Sequence, residues 1–257
     1  MKAILTLIVS ILFFLSACTG KSVKQEEWVS LFNGKNLNGW TVKIKGYPVG
    51  ENFGNTFLVE DGLLKVRYDA YDEYKDRFGH IFTKESFSSY KLRVEYRFVG
   101  DQAKKSPGWA YRNNGVMFHS QSAESMHLDQ DFPVSIEAQL LGGDGKSERP
   151  TGSVCTPGTE IDIAGMHYTD HCCQAQSKTF NGDQWVNFEL VVYKDSLVHH
   201  IVEGDTVMTY TNLVIGGGNV SPKPNIPFGP LKKGHIALQS ESHPTDFRKI
   251  EIMKIAD

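Results

Sequence analysis

YKLRVEYRF, residues 90–98, alternates apolar and polar side chains over nine consecutive positions. Because successive side chains of a β-strand point to opposite faces, this alternation predicts a half-buried strand. Its core-facing side chains are expected to be Tyr90, Leu92, Val94, Tyr96 and Phe98. Helical periodicity is scarce in the rest of the chain, so this stretch predicts a fold made of sheets.

Short runs of the same kind recur along the chain, separated by Gly, Asn, Asp and Pro. The Asp61-Gly62 pair between two runs is a strong hairpin signal, and a second hairpin is predicted around Lys194-Asp195. Many short strands with regular turns predict an all-β sandwich or jelly roll. Further strands are predicted at residues 115–119, 134–141, 185–193, 196–203, 206–210, 234–239 and 246–255.

Two polar stretches that contain Gly and Pro lack a strand pattern. Residues 101–114 are predicted to form a loop. Residues 142–184 form a much longer insert, and loops of that length inside a compact domain are usually functional. We therefore expect the insert to cover a binding site.

The beginning of the chain has the pattern of an export signal. One lysine precedes an apolar run at residues 3–15, and Leu15-Ser16-Ala17-Cys18 matches a bacterial lipobox. The run is too short to span a bilayer of about 30 Å, which favours a signal peptide over a transmembrane helix. We expect a signal peptide at 1–17, lipidated Cys18 with a tether at 18–26, and one domain at 27–257. An ordinary signal peptide with a chance cysteine is the alternative.

A lipid on Cys18 would make the membrane a partner and would place the protein in the bacterial cell envelope, on the periplasmic or the surface side. The net charge is −3. Such a chain has no basic field to attract nucleic acid, so no nucleic-acid partner is expected.

Three cysteines remain after Cys18, namely Cys155, Cys172 and Cys173. An odd number leaves at least one thiol unpaired within the chain. A disulfide from Cys155 to Cys172 or Cys173 is one interpretation, and three free thiols are slightly favoured. His167 and His171 are spaced four apart, but no helical pattern surrounds them. Solvated loop histidines are therefore favoured over a metal site.

Three predicted strands carry polar side chains on the face opposite their apolar residues. In residues 136–140, for example, Glu137 and Gln139 lie on the face opposite Ile136, Ala138 and Leu140. Glu, Gln and Asn are poor strand formers, so their repeated use favours a binding face over a merely solvated one. Carboxylates accept hydrogen bonds from sugar hydroxyls, and amides both donate to them and accept from them. The polar set comprises Asn113, His119, Glu137, Gln139, Gln239 and Glu241, with His243 in the loop beyond.

Six motifs, in order, resemble those of the 3-keto-disaccharide hydrolase domain family. They are WVSLFNGKNLNGW at 28–40, VEDGLL at 59–64, NNGVMFH at 113–119, IEAQL at 136–140, IALQSE at 236–241 and FRKI at 247–250. The resemblance spans roughly residues 27–255. The third motif departs from the family pattern, with His119 in place of Arg and Asn114 in place of Ser, and the long insert is an addition.

The resemblance implies a concanavalin A-like jelly-roll β-sandwich whose concave sheet binds a glycoside or oligosaccharide oxidised at C3 of the sugar. A C3 ketone acidifies the C2 proton, so a base, donors for the enolate oxygen and an acid for the leaving oxygen are needed. Our hypothesis assigns Glu137 or His119 as the base and Glu241 or His243 as the acid. The hypothesis further assigns substrate binding to Asn113, Gln139, Gln239 and Arg248, although Arg248 is also expected to pair with a carboxylate.

Other functions are compatible with the same residues. Glu137 and Glu241 would also suit direct two-carboxylate glycoside hydrolysis. A non-catalytic carbohydrate-binding module would use exposed aromatic rings such as Trp109, Tyr111 and Tyr168. An envelope scaffold would need none of these roles. The sequence leaves open whether a divalent metal ion assists the enolate.

Overall fold

A computed structural model describes residues 27–256, so the predicted signal peptide, Cys18 and the tether through residue 26 lie outside the described residues. The described part forms β-strands and three single 3-10 turns, η1 (Phe53–Asn55), η2 (Gly108–Ala110) and η3 (Ala123–Ser125). None of its helical segments is long and apolar enough to cross a bilayer. The strands are β1 (Val29–Ser30), β2 (Trp40–Ile44), β3 (Phe57–Glu60), β4 (Leu63–Val66), β5 (Gly79–Phe87), β6 (Ser89–Phe98), β7 (Asn113–Ser120), β8 (Ile136–Leu141), β9 (Ser153–Cys155), β10 (Thr159–Ile163), β11 (Met166–Tyr168), β12 (Cys172–Cys173), β13 (Val186–Tyr193), β14 (Leu197–Val202), β15 (Asp205–Ile215), β16 (Gly229–Pro230), β17 (Gly234–Ser240) and β18 (Thr245–Lys254).

The strands pair antiparallel in two sheets, which confirms the predicted all-β jelly-roll sandwich. Sheet A runs β11-β10-β15-β14-β13-β6-β18-β4-β3, with β1 beside β18 and β16 beside β15. Sheet B runs β12-β9-β8-β7-β17-β5-β2. The functional side chains predicted from strands 113–119, 136–140 and 236–241 therefore meet on three neighbouring strands, β8, β7 and β17.

The core lies between the two sheets, where the alternating stretch that predicted the fold supplies a full row. Tyr90, Leu92, Val94, Tyr96 and Phe98 of β6 are all buried, as predicted. Sheet B contributes buried side chains that include Val116, Phe118, Ile136, Ala138, Leu140, Ile236 and Leu238. Because strand side chains alternate, the residues between these must point to the opposite face of sheet B.

Turn chemistry explains the predicted hairpins. Glu60 pairs with Leu63, and both intervening residues have positive φ, 54° at Asp61 and 75° at Gly62. This conformation matches the right-handed strand twist, and Asp-Gly adopts it readily. The second hairpin, between β13 and β14, also forms around Lys194-Asp195.

The insert at 142–184 is not the structureless loop that its composition predicts. Four short strands, β9 to β12, lie within it, and they extend both sheets at the same end. Runs of two to five residues are too short to show an alternating pattern, so the sequence alone could not identify them. Of the predicted loop at 101–114, residues 101–112 contain only the turn η2, whereas Asn113 and Asn114 already belong to β7.

Candidate active site

A cavity of about 540 Å³ opens on the face of sheet B opposite the core. We name it the carboxyl cavity, after Glu137 of β8 and Glu241 just beyond β17. Asn113 of β7 and Gln139 of β8 line it as well. Strand alternation brings these side chains to one face, as the sequence predicts, and the β7–β8 register places Gly115 opposite Gln139 and Met117 opposite Glu137.

Glu137 occupies space that only a glycine on the neighbouring strand leaves free. A Cβ atom added to Gly115 would lie 2.8 Å from Cγ of Glu137, which is closer than real Cβ atoms approach. Asn114 fixes this part of β7, because its side-chain oxygen accepts the Gly115 N–H at 2.8 Å and its amide donates to the Gln239 carbonyl at 2.8 Å. The Asn113-Asn114-Gly115 segment therefore positions the Glu137 carboxyl.

The two carboxyls are buried and influence each other's protonation. Burial raises the pKa of Glu137 to about 8. Burial, followed by the charge of Glu137, raises the pKa of Glu241 well above its ordinary value. Two carboxylates in one desolvated site cannot easily both be ionised, so near neutral pH the pair retains a proton. When one member ionises, the pair supplies a base and an acid in one site.

Several polar atoms around the pair are buried without a hydrogen-bond partner in the described part of the chain. They include Oδ1 of Asn113, Oε2 of Glu241 and both amide atoms of Gln239, a residue of β17 that lies outside the cavity lining. An unmade buried hydrogen bond costs about 1–3 kcal/mol, so a cluster of such atoms indicates a site built for a polar ligand. Sugar hydroxyls both donate and accept, as these groups require.

Three polar residues near this face were missed by the sequence prediction. His80 of β5 lies directly opposite Gln239, is fully buried and has no partner on either ring nitrogen. Burial, with help from Lys43, lowers its pKa to about 3, so the ring is neutral. Lys43 pairs with His80 across β2 and β5 and donates to the Leu128 carbonyl at 2.8 Å. The hydroxyl of Tyr74 is buried without a partner, and Glu241 raises its pKa in addition to burial.

A signal for two of these residues exists in the sequence. Val42 and Ile44 flank Lys43, and Ile81 follows His80, so each polar residue alternates with core positions. Tyr74 lies between strands and carries no such pattern.

Loops form the rim of the cavity. Trp109 is 55% exposed, stacks on Phe78 with ring centroids 6.2 Å apart, and lines the cavity as the predicted aromatic contact. Asp131 joins two rim loops, because its Oδ1 accepts the N–H of Ser221 at 2.8 Å and its own N–H donates to the Ser221 carbonyl at 2.9 Å. These hydrogen bonds connect two loops of the rim above the carboxyls and amides of sheet B.

The insert lines one side of the carboxyl cavity through Cys155, Pro157, His171 and Cys172. Cys155 and Cys172 are directly paired on β9 and β12 and form a disulfide, so the expectation of three free thiols is wrong. Their Cα atoms are 4.1 Å apart because two antiparallel strands bring them together, which sequence spacing could not reveal. Cys173 remains a free thiol.

One group of three potential metal ligands occurs among residues 27–256, formed by Cys155, His171 and Cys172 within 4.8 Å of one another. Its two sulfur atoms are joined in the disulfide, so as thiolates they are not free to ligate. His167 lies apart from this group, on β11, 3.4 Å from Asp162 and 3.5 Å from Glu160. Both histidines are exposed, in keeping with the interpretation as solvated residues, but His167 belongs to β11 rather than to a loop.

His119 does not reach the carboxyl cavity, contrary to the alternation-based expectation. The register between β7 and β17 shifts at this point, and His119 has a φ of 47°. One extra residue in a strand reverses which face the following side chains occupy. The ring faces Tyr90 at 6.3 Å instead, and its Nε2 lies 3.0 Å from the Lys194 carbonyl.

Arg248 and His243 also lie outside the cavity lining. Arg248 belongs to sheet A, where it pairs with Glu95 and covers the Trp185 ring at 4.1 Å. That ion pair was expected, and it places Arg248 on sheet A rather than on sheet B, which carries the carboxyl cavity. His243 packs edge-on against Phe98 and Tyr111, and burial lowers its pKa to about 3, which makes it unsuited to protonate a leaving group.

The chain is similar in sequence to a known protein family and to a curated relative. Residues 27–253 match the family model of the 3-keto-alpha-glucoside-1,2-lyase-like domain. A 3-keto-disaccharide hydrolase of Bacteroides thetaiotaomicron is 23% identical over 184 residues, which cover 69% of this chain and 56% of that protein. The chain therefore spans little more than half the length of this curated relative.

Two crystal structures of candidate glycosyl hydrolases from Parabacteroides distasonis share the fold. The superposition on the first structure has a TM-score of 0.52 at 19% sequence identity, and it covers 89% of this chain and 100% of the other. The second has a TM-score of 0.52 at 16% identity and covers 89% and 94%.

Proposed function

The chain belongs to the 3-keto-alpha-glucoside-1,2-lyase-like domain family, and from this premise we propose that it cleaves glycosides oxidised at C3 of the sugar. The observation that carries the proposal is the buried Glu137–Glu241 pair on the sugar-sized cavity of sheet B. The name of the Bacteroides relative supports the same substrate class.

The first step uses the ionised member of the pair. It removes the C2 proton, and the electron pair of the broken C–H bond forms the enolate with the C3 ketone. The Asn113 and Gln139 amides are the donors proposed to stabilise the enolate oxygen, and Gln239 is proposed to hold hydroxyls. Low polarity around the carboxylate strengthens it as a base, because burial raises its pKa.

The second step uses the protonated member. It donates its proton to the glycosidic oxygen as the C1–O bond breaks, and a C1–C2 double bond forms in conjugation with the ketone. Addition of water, with hydroxide equivalent at C1 and a proton at C2, completes a net hydrolysis. Because the carboxyls share one proton, they exchange roles and are reset after each turnover.

The test compares methyl 3-keto-α-glucoside with unoxidised methyl α-glucoside. Release of 3-keto-glucose from the first compound alone is expected, since only the ketone acidifies the C2 proton. Glu137→Gln and Glu241→Gln should each lower kcat by about 100-fold or more, the scale of general acid–base catalysis. Glu189→Gln, on the outer face of β13, is the matched control and should retain full activity.

The other outcomes identify the alternatives. Turnover of the unoxidised glycoside would contradict the ketone mechanism and favour direct two-carboxylate hydrolysis. Binding of both sugars without turnover would indicate a binding module that uses Trp109.

We also propose that Cys18 carries a lipid that holds the domain at the bacterial cell envelope. Mass spectrometry of the membrane fraction should find a diacylated peptide that begins at Cys18, and Cys18→Ala should release the protein into the soluble fraction. Recovery of the unmodified Cys18 peptide from membranes would contradict this proposal.

A further inference from the structure

A second hollow, which we name the apolar pocket, adjoins the carboxyl cavity. Val220 lines both spaces, and the backbone passes from Pro157 in the cavity to Gly158 in the pocket. The neighbouring segment does the same, from Gly218 in the pocket to Asn219 in the cavity, and the Gly158 N–H donates to the Gly218 carbonyl at 2.8 Å. A ligand seated on the carboxyls could therefore extend past Val220 without leaving the protein surface.

The carboxyl groups distinguish the two spaces, although Trp109 and Phe132 also line the carboxyl cavity. The carboxyl cavity presents carboxyls and amides, whereas the side chains of Val134, Ile215, Val220, Pro224, Ile226 and Phe228 line the apolar pocket. Two charged residues also line it, and both have partners, because Lys223 donates to the Gly217 carbonyl at 2.9 Å and Glu160 lies 3.5 Å from His167.

Size and exposure indicate the kind of group that fits. The pocket measures about 340 Å³. A dry cavity of about 150 Å³ already holds a benzene molecule, so one aromatic ring or a six-carbon chain can be accommodated. Phe228 is 75% exposed and lines the pocket, so its ring is accessible to an apolar group that enters.

We propose that the apolar pocket binds the leaving group, so that the preferred substrates are 3-keto-glycosides of apolar alcohols or phenols. The inference rests on the proposed function, because it places the oxidised sugar on Glu137 and Glu241. The sugar ring then lies on the polar floor, and the aglycone beyond C1 passes Val220 into the apolar pocket. Transfer of its carbon surface out of water supplies the preference over a polar aglycone.

Binding is measured separately from turnover, with hexyl and methyl 3-keto-α-glucosides on the non-cleaving Glu137→Gln variant. A parallel titration uses wild-type protein with the unoxidised hexyl and methyl glucosides. The two leaving groups are alkoxides of similar basicity, so they differ in apolar surface alone. The hexyl compound should bind about tenfold more tightly or better, as burial of two or more methylene groups predicts.

Two variants locate the contact. Phe228→Ser and Ile226→Ser should each remove most of the hexyl advantage and leave methyl binding unchanged. Leu128→Ser is the matched control, since Leu128 is 53% exposed and lines neither space. Equal binding of hexyl and methyl compounds, or a hexyl advantage that survives both pocket substitutions, would overturn the pocket assignment.

Turnover distinguishes the two proposals. If wild-type protein cleaves methyl 3-keto-α-glucoside but shows no hexyl preference, the leaving-group pocket fails and the proposed reaction stands. If hexyl binds more tightly through Phe228 but neither compound is cleaved, the pocket stands and the proposed reaction fails.

Discussion

Glu137 and Glu241 show how the position of a residue within a strand determines its chemistry. Glutamate is a poor strand former, yet Glu137 lies in β8 with core residues on both sides in sequence. Its carboxyl fits beside Gly115 and is removed from water. Burial is therefore the cause of both its raised pKa and its proposed role.

The paired carboxyls predict a bell-shaped dependence of kcat/KM on pH. Activity requires a single proton on the pair, so it should rise as the first proton leaves and fall as the second leaves. Because burial raises both pKa values, both limbs should lie above the ordinary carboxyl value of 4.5. Rates measured from pH 4 to pH 10 on the 3-keto substrate test this.

The variants extend that test. The residual activity of Glu137→Gln or Glu241→Gln should depend on one ionisation, so one limb should disappear. A two-limbed profile in either variant would show that other groups titrate.

The Glu137 carboxyl also carries a cost in stability. Since its folded pKa exceeds the unfolded value of 4.5, the folded state binds the extra proton, and stability is lost as pH rises above 4.5. Glu137→Gln should therefore stabilise the fold at pH 8 and give a higher Tm than wild type. At pH 4, where both forms are neutral, the difference should vanish.

Thermal unfolding of the variant and wild type at both pH values measures this effect, with Glu189→Gln as the control. A lower Tm for Glu137→Gln at pH 8 would mean that the carboxyl is structurally stabilising rather than retained for function.

Much of the site follows from strand alternation. Alternation places Glu137, Gln139, Gln239 and Glu241 on the face away from the core, because their strands are regular there. It fails at His119, where one extra residue turns the ring toward Tyr90. It carries a signal for His80, which alternates with core positions in β5, but none for Tyr74, which lies between strands.

At the scale of elements, β12 has the weakest attachment in sheet B. It consists of two residues, lies at the edge of the sheet and pairs with β9 alone. The Cys155–Cys172 disulfide lies across this pair and thus holds His171 beside the carboxyl cavity. The disulfide takes the place of the additional backbone hydrogen bonds that a longer strand would form.

Removal of the disulfide should loosen this wall of the cavity. The double variant Cys155→Ser/Cys172→Ser should lose about 3 kcal/mol, because the link closes a loop of 17 residues in the unfolded chain. KM should rise more than kcat falls, since Glu137 itself remains in place. A reductant should lower the Tm of wild type but not of the variant.

Cys173→Ser is the matched control for that experiment, and it should behave as wild type. An unchanged Tm in the double variant would indicate that β12 is held by packing rather than by the disulfide.

Long strands could be predicted from the sequence, whereas short strands could not. The alternating nine-residue stretch gave β6 almost to its boundaries, and Asp61-Gly62 gave the β3–β4 turn. The short strands β9 to β12 could not be predicted, because their pairing with the rest of each sheet, rather than local sequence, makes them strands.

The whole molecule buries several neutral histidines, which links its stability to acid. Burial lowers the pKa of His80 and His243 to about 3 and of His119 and His200 to about 4. In the unfolded chain they bind protons near 6.5, so below that pH the unfolded state takes up more protons and stability falls.

Urea unfolding between pH 6.5 and pH 4.5 should show this loss. Each histidine that is protonated only in the unfolded chain adds a slope of about 1.4 kcal/mol per pH unit, and the Glu137–Glu241 pair opposes it throughout this range because burial raises both carboxyl pKa values. A free energy of unfolding that stays constant down to pH 4.5 would contradict the prediction.

Strand β18 has a consequence for when the sandwich can form. It lies between β6 and β4 inside sheet A, and its Ile252 also pairs with Val29 of β1. Residues near the two ends of the described domain are thus neighbours in one sheet. On the ribosome, β1, β4 and β6 emerge first and wait with unpaired edges until residues 245–254 are synthesised. Folding of sheet A must therefore follow synthesis of almost the whole described domain.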